Sequence, residues 1–250
     1  MTNSSTHNDA TTFPQTSPDQ SSEPTRPSLL AVLAHPDDES FGMGGTLALY
    51  SRRGVDTYLL CATRGEAGEV DESMLRGYDS IAERREAELR CAAGKLGLKE
   101  VAFLGYRDSG MAGSADNYHP SALVAQPQAN VAQEIARYIR RIRPWVVVTF
   151  DPIGGYRHPD HIAIHKATLQ AMQLAADPKA RNLDGLPAYT PKKLFYQTIP
   201  RGFMRMMVRI MRLTGRDPRK FGKNKDIDLA SIAEVKFPIH AVINYRSVAD

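Results

Sequence analysis

Short apolar runs alternate along this chain with longer amphipathic stretches, and that alternation constrains the fold more than any other feature. The runs are Leu29–Ala34, Val55–Ala62, Val101–Leu104 and Trp145–Phe150. Each is too short for a buried helix and is bounded by turn residues, so each reads as a buried strand. The spacing predicts strands at Ser28–Ala34, Val55–Ala62, Val101–Leu104, Trp145–Phe150 and Leu194–Ile199. Between them it predicts helices at Gly42–Arg53, Ser80–Leu96, Asn130–Ile142 and His161–Ala175. Strands that alternate with helices build a parallel sheet from βαβ units. The expected fold is therefore α/β: a Rossmann-like, doubly wound, mostly parallel sheet flanked by helices, in a single domain over 28–250.

Residues 1–27 are rich in Ser, Thr, Pro, Asn and Gln and almost free of large apolar side chains. They are expected to be a disordered tail, with His7 inert. The tail has neither a basic nor an apolar leader region, which excludes a secretory signal in it. Over all 250 residues, 42% apolar and 24% charged side chains are those of an ordinary globular protein. A net charge of +4 does not call for nucleic acid, and none is expected as a partner. Cys61 and Cys91 lie in no metal-binding spacing and read as small core residues in a reducing compartment. The expected location is the cytoplasm.

In a doubly wound sheet of order 3-2-1-4-5, strands one and four are neighbours, and winding reverses between them. Ligands bind in the crevice at that reversal. The loop after strand one carries His35-Pro36-Asp37-Asp38-Glu39-Ser40, and the loop after strand four leads to His158-Pro159-Asp160-His161. The topology thus brings two distant polar clusters to one crevice. Imidazole and carboxylate suit a divalent metal such as zinc, and a hydrolytic zinc site keeps three protein ligands and one open position. His35 and Asp38 supply two ligands, and either His158 or His161 could supply the third. Asp160 could orient an imidazole or sit on the metal. Asp37 remains as a base, on a turn stiffened by Pro36. His165 shares a helix face with His161 but lies one turn deeper, so His161 is preferred. Glu39 and Ser40 read equally well as caps of the first helix or as contacts to substrate. Arg85 could pair with a carboxylate on its own helix.

Ala34-His35-Pro36-Asp37-Asp38-Glu39 together with His158-Pro159-Asp160-His161 resembles the zinc-dependent N-acetylglucosaminyl deacetylase family, also called LmbE-like or PIG-L. Thr63-Arg64-Gly65-Glu66-Ala67-Gly68 looks like its acidic loop. Arg85, Glu88, Ala92, Leu96 and Gly97 match its second-helix pattern. Arg107-Asp108-Ser109-Gly110-Met111 and Asp151-Pro152 with Gly154-Gly155-Tyr156 resemble the branch that handles mycothiol-type substrates. The likeness is good over roughly Ser28 to Ala175.

Carried over position by position, the resemblance implies zinc, one ion per chain, on His35, Asp38 and His161, with Fe2+ as the alternative metal. Asp37 would be the general base. His158 would be a protonated partner for the oxyanion or the leaving amine, and Asp160 would hold His158. Tyr156 would donate to the tetrahedral intermediate, and Arg85 and Asp108 would contact the sugar or its substituent. The implied activity is removal of the N-acetyl group from an N-acetylglucosamine-containing small molecule, releasing acetate and a free amine. The alternatives are an amidase that cuts a larger acyl group from a glucosaminyl amide and, in another class, a metal-holding protein that binds a membrane surface or a partner.

Arg201, Arg205, Arg209, Arg212 and Arg216 recur at helical spacing among Phe203, Met204, Met207, Val208, Ile210 and Met211. This predicts a basic amphipathic helix at about 201–214. A solvated face beside the site mouth is the favoured reading, over contact between Arg201–Arg216 and a membrane surface. A homo-oligomer is left open. Members of the family usually run on past the point where this chain stops at Asp250, so the completeness of the far edge of the fold is left open.

Overall fold

The structure is a computed structural model that describes residues 26–222 and 227–249. Most of the predicted tail, including His7, lies outside the described residues. The first half runs β1 (Ser28–Leu33), α1 (Asp38–Arg52), β2 (Asp56–Thr63), α2 (Ile81–Leu96) and β3 (Glu100–Tyr106). The second runs α3 (Gln128–Ile142), β4 (Val146–Phe150), the single turn α4 (Gly154–Arg157), α5 (Pro159–Ala176), β5 (Lys193–Gln197), α6 (Arg201–Leu213) and α7 (Leu229–Glu234). The five strands lie in the order β3-β2-β1-β4-β5, and every pairing is parallel. The expected reversal therefore falls between β1 and β4, where Leu30 pairs with Val147 and Ala31 with Val148.

β1 is apolar on both faces because helices cover both. Leu30, Ala31, Val32 and Leu33 have no solvent exposure. α1 packs with α2, and α3 with α5. With right-handed crossovers, winding one way places the first pair on one face, and winding back places the second pair on the other. α3 buries Val131, Ile135, Tyr138 and Ile139 as its 3.6-residue periodicity requires. It ends at Arg143 because Pro144 cannot continue it.

The carboxyl ends of β1 and β2 are tied together. Ala34 O accepts both the Thr63 N–H (2.9 Å) and the Thr63 hydroxyl (3.0 Å). The Thr149 hydroxyl of β4 donates to Val32 O at 3.0 Å. These bonds fix where the loop after β1 leaves the sheet.

Two details differ from the sequence reading, and a third agrees. α1 begins at Asp38 rather than Gly42, with Asp37 as its N-cap. Cys61 is buried as expected, but Cys91 is exposed, because its position on α2 faces away from the sheet. The basic helix forms as predicted. It buries Met204, Val208 and Met211 in a small second core with Leu229, Ile232 and Ala233 of α7, and Tyr156 packs against this core. Phe203, Met206, Ile210 and Leu213 of α6 remain exposed. Among the described residues, no helix is long and apolar enough to cross a membrane.

Candidate metal centre

The loop after β1 delivers His35 and Asp38, and the N-terminus of α5 delivers His158, Asp160 and His161. They meet at the reversal point. His35 Nδ1 lies 3.3 Å from His161 Nε2. Asp38 Oδ1 is 3.3 Å from His161 Nε2, and Asp38 Oδ2 is 3.6 Å from His35 Nδ1. Donors held about 2.0–2.1 Å from a tetrahedral cation sit roughly 3.3 Å from one another, so this triangle has the size of such a site.

The remaining ring nitrogens set the tautomers. His35 Nε2 meets Asp160 Oδ2 at 3.0 Å, with Asp108 Oδ1 further off at 3.4 Å. A carboxylate can only accept, so Nε2 carries the hydrogen and the Nδ1 lone pair faces the triangle. His161 Nδ1 lies 3.2 Å from Gly154 O, which likewise places its hydrogen on Nδ1 and frees Nε2. Phe150 stacks on the His161 ring, with centroids 3.8 Å apart. The chemistry of the donor set fits a divalent cation.

Two overlapping groups of potential ligands are close enough to share an ion: His35, His158 and His161, and His35, Asp108 and Asp160. In the first, His158 Nδ1 accepts the Asp160 backbone N–H at 3.2 Å, which leaves Nε2 as an N–H donor in the neutral ring. Nor does His35 Nε2 offer a lone pair to the second group. The tautomers therefore favour the Nδ1 side of His35, with Asp38 and His161. Asp160 Oδ1 is buried with no partner among the described residues, and buried acceptors are rarely left so without an ion or water nearby.

Charges in the cluster hold one another. Burial works against a protonated His35, but hydrogen bonds to Asp108, Asp160 and Asp38 outweigh it and raise its pKa well above the usual value. Burial would raise Asp38, yet His161 and His35 hold it far below the ordinary carboxylate range. Asp108 is likewise buried and likewise lowered, by His35. Burial and then the neighbouring His35 and His161 push His158 down to about 3. These neighbours thus disfavour the protonated form of His158 that the resemblance implies.

Asp37 stands apart from the triangle. Its side chain is 52% exposed and meets Arg85 Nη2 at 3.0 Å. Its place in the cleft and the charge of Asp38 raise its pKa, against the pull of Arg85. Arg85 also donates to Gly65 O and Pro36 O, so it braces this loop rather than pairing along α2. Gly65 makes room for it, since a Cβ there would overlap the guanidinium. Tyr156 lies over His161, with centroids 5.1 Å apart, and burial followed by the Asp38 charge pushes its hydroxyl up to about 12. The residues His35, Asp37, Arg85, Asp108, Tyr156 and His158 line one cleft of about 340 Å³.

One expected pairing is not made. The Asp160 carboxylate holds His35 and the Ser109 N–H (2.9 Å), while only its backbone reaches His158. His165 is also elsewhere: its Nδ1 lies 2.8 Å from Phe150 O, where it serves the sheet. Sequence reasoning missed Ser109, Phe150 and Asp151. Asp151 Oδ1 accepts the N–H groups of Ile153 and Gly155 and shapes the turn into α4. The Asp-Pro-x-Gly-Gly pattern is its visible signal. Gly154 is required there, because a Cβ would lie 2.8 Å from His161 Cβ.

A parallel sheet whose reversal point gathers imidazoles and carboxylates with matched tautomers defines an α/β protein of the metal-centre class. The chain belongs to the GlcNAc-PI de-N-acetylase (PIG-L) family, whose model matches residues 30–172. It is 41% identical over 202 residues to a 1D-myo-inositol 2-acetamido-2-deoxy-alpha-D-glucopyranoside deacetylase of Kineococcus radiotolerans, covering 75% of this chain and 56% of that protein. It is 40% identical to the protein of the same name from Thermobifida fusca, covering 77% and 68%. The chain thus spans little more than half of the first relative. Among solved structures it resembles N,N'-diacetylchitobiose deacetylase from Pyrococcus horikoshii, with TM-score 0.54, 26% identity, and 78% of this chain and 71% of that one covered.

Proposed function

We propose that residues 28–250 form the catalytic domain of a zinc-dependent N-deacetylase that frees acetate and an amine from a small N-acetylglucosamine-containing substrate. The observation that carries this reading is the triangle of His35 Nδ1, His161 Nε2 and Asp38, with Asp37 held off it at the mouth of the same cleft. The names of the relatives point the same way, to a glucosaminyl-inositol substrate. The cytoplasm, with its reduced thiols, suits the free Cys61 and Cys91.

A zinc ion on His35, Asp38 and His161 would polarise the acetamide carbonyl and acidify water. Asp37, with its raised pKa, takes the proton as water adds to the amide carbon. Tyr156 and His158 donate to the developing oxyanion. Arg85 and Asp108 line the cleft where the sugar would sit. The C–N bond then breaks as the amine nitrogen takes up the proton that Asp37 removed from water, and acetate remains.

The test is acetate release from N-acetylglucosaminyl-inositol by zinc-loaded protein, with a cysteinyl-glucosamine conjugate as the larger-acyl comparison. Asp37→Ala is expected to keep its zinc and lose turnover by about 10²–10⁴. Turnover by Asp37→Ala at the normal rate would remove the base assignment, and cleavage of the conjugate alone would replace deacetylase by amidase.

A further inference from the structure

Asp37 is the N-cap of α1, with φ 120° and ψ −28°. Residues with a Cβ rarely adopt that backbone and hold it only where their surroundings enforce it. An N-cap aspartate ordinarily turns its carboxylate back onto the first N–H groups of its helix. Asp37 makes no such bond. Its carboxylate faces the cleft and Arg85 instead. Its own N–H is taken by Glu39 Oε2 at 3.0 Å. That bond is the return half of a capping box, moved one residue nearer the cap.

Glu39 is an unusual residue to find there. It is 1% exposed, and its other oxygen takes the Ser40 hydroxyl. Among the described residues it has no ion-pair partner. Burying a carboxylate without a neutralising cation costs stability, so folding alone is a poor account of it. The metal triangle does not need it either, because Asp38 is pinned separately by the His35 N–H at 2.8 Å.

We propose that Glu39 is a positioning residue: by holding the Asp37 N–H it locks Asp37 in its left-handed conformation and keeps that carboxylate in the cleft instead of on the end of α1. Without the clamp, Asp37 relaxes to an ordinary N-cap, and its carboxylate leaves the cleft. The proposal rests on Asp37 being the base, but its physical core, the clamp, can be read without activity.

Three variants test it. Glu39→Met fills the space without an acceptor, and Glu39→Gln keeps one. Asp37→Gly removes the backbone strain. Glu39→Met is expected to lose at least ten-fold in kcat with KM and bound zinc unchanged, and Glu39→Gln to recover most of that loss. In the metal-free protein, Asp37→Gly should raise the melting temperature by a few degrees while Glu39 is present. In the Glu39→Met background it should leave the temperature unchanged or lower it, since there it removes a relaxed cap. An equal shift in both backgrounds overturns the clamp, as does full turnover by Glu39→Met. Should Glu39→Met not fold, Glu39→Ala takes its place in both measurements. The melting cycle reads the clamp even if the wild type releases no acetate, so its failure is distinct from failure of the deacetylase reading.

Discussion

Removing the Asp160 carboxylate tests whether the cation sits on the Nδ1 side of His35. Asp160 is fully buried, and its Oδ2 takes two hydrogen bonds, from His35 Nε2 at 3.0 Å and from the Ser109 N–H at 2.9 Å. In Asp160→Ala the imidazole keeps only Asp108, at 3.4 Å, and the Ser109 N–H is left bare. A hydrogen bond to a charged group contributes about 1.5–3 kcal/mol. At about 1.4 kcal/mol per factor of ten, zinc affinity should fall roughly 10–100-fold, the size usual for such supporting groups. The bare N–H should cost a further ~1–3 kcal/mol of folding stability. Asp160→Asn keeps an acceptor for one of the two donors and should lose only a few-fold in affinity. The assay is competition for zinc between metal-free protein and a chromophoric chelator at pH 7.5, with melting curves to show that the variant is folded. Affinity within about two-fold of wild type would refute the tautomer argument. A far larger loss, matched by Asp108→Ala and absent from Asp38→Ala, would move the ion to the Nε2 side.

Other outcomes follow from the same geometry. Arg140 is 4% exposed and donates to the carbonyls of Leu174, Ala175, Asp177 and Leu186, closing the last turn of α5. Arg140→Met should destabilise by about 3–5 kcal/mol in urea unfolding, and a cost below ~1 kcal/mol would show that these bonds are worth little. Tyr156→Phe, which removes a hydroxyl kept protonated up to about 12, should lower kcat about 10²–10³-fold at unchanged KM. In the metal-free protein the raised His35 pKa contributes stability present below the unfolded value near 6.5 and lost as pH rises through the folded one. His158, lowered to about 3, works the other way and costs stability as pH falls below ~6.5, and the lowered Asp38 and Asp108 lose theirs in stronger acid. The melting temperature of the metal-free protein should therefore peak near pH 6.5. Because zinc must displace the Nδ1 proton of His35, the rise in melting temperature on adding zinc should grow from pH 6 to pH 8. A flat response would remove His35 from the ligand set.

The sheet was legible because β1 and β4 are covered on both faces, so their runs are apolar at nearly every position, Ser28 and Thr149 excepted, and need no periodicity to be seen. Strand order then followed from parallel winding, and with it the meeting of His35 with His161. What escaped was set by single backbone conformations and by groups arriving from other elements. The start of α1 at Asp38 depends on a φ of 120° at Asp37, which no residue preference encodes. The resemblance implied that Asp160 would hold His158. Yet residues two apart on a helix do not face each other, so from the second position of α5 the carboxylate is turned across the crevice onto His35. The ring nitrogens were hidden for the same reason. Spacing can name the imidazoles, but which nitrogen is free is decided by Gly154 O and by Asp160, and these reach the site only once the turn into α4 and the start of α5 are folded. The chemistry of the site is thus a property of the crossing of two βα units, and a substitution that shifts one against the other should disarm both histidines without touching either.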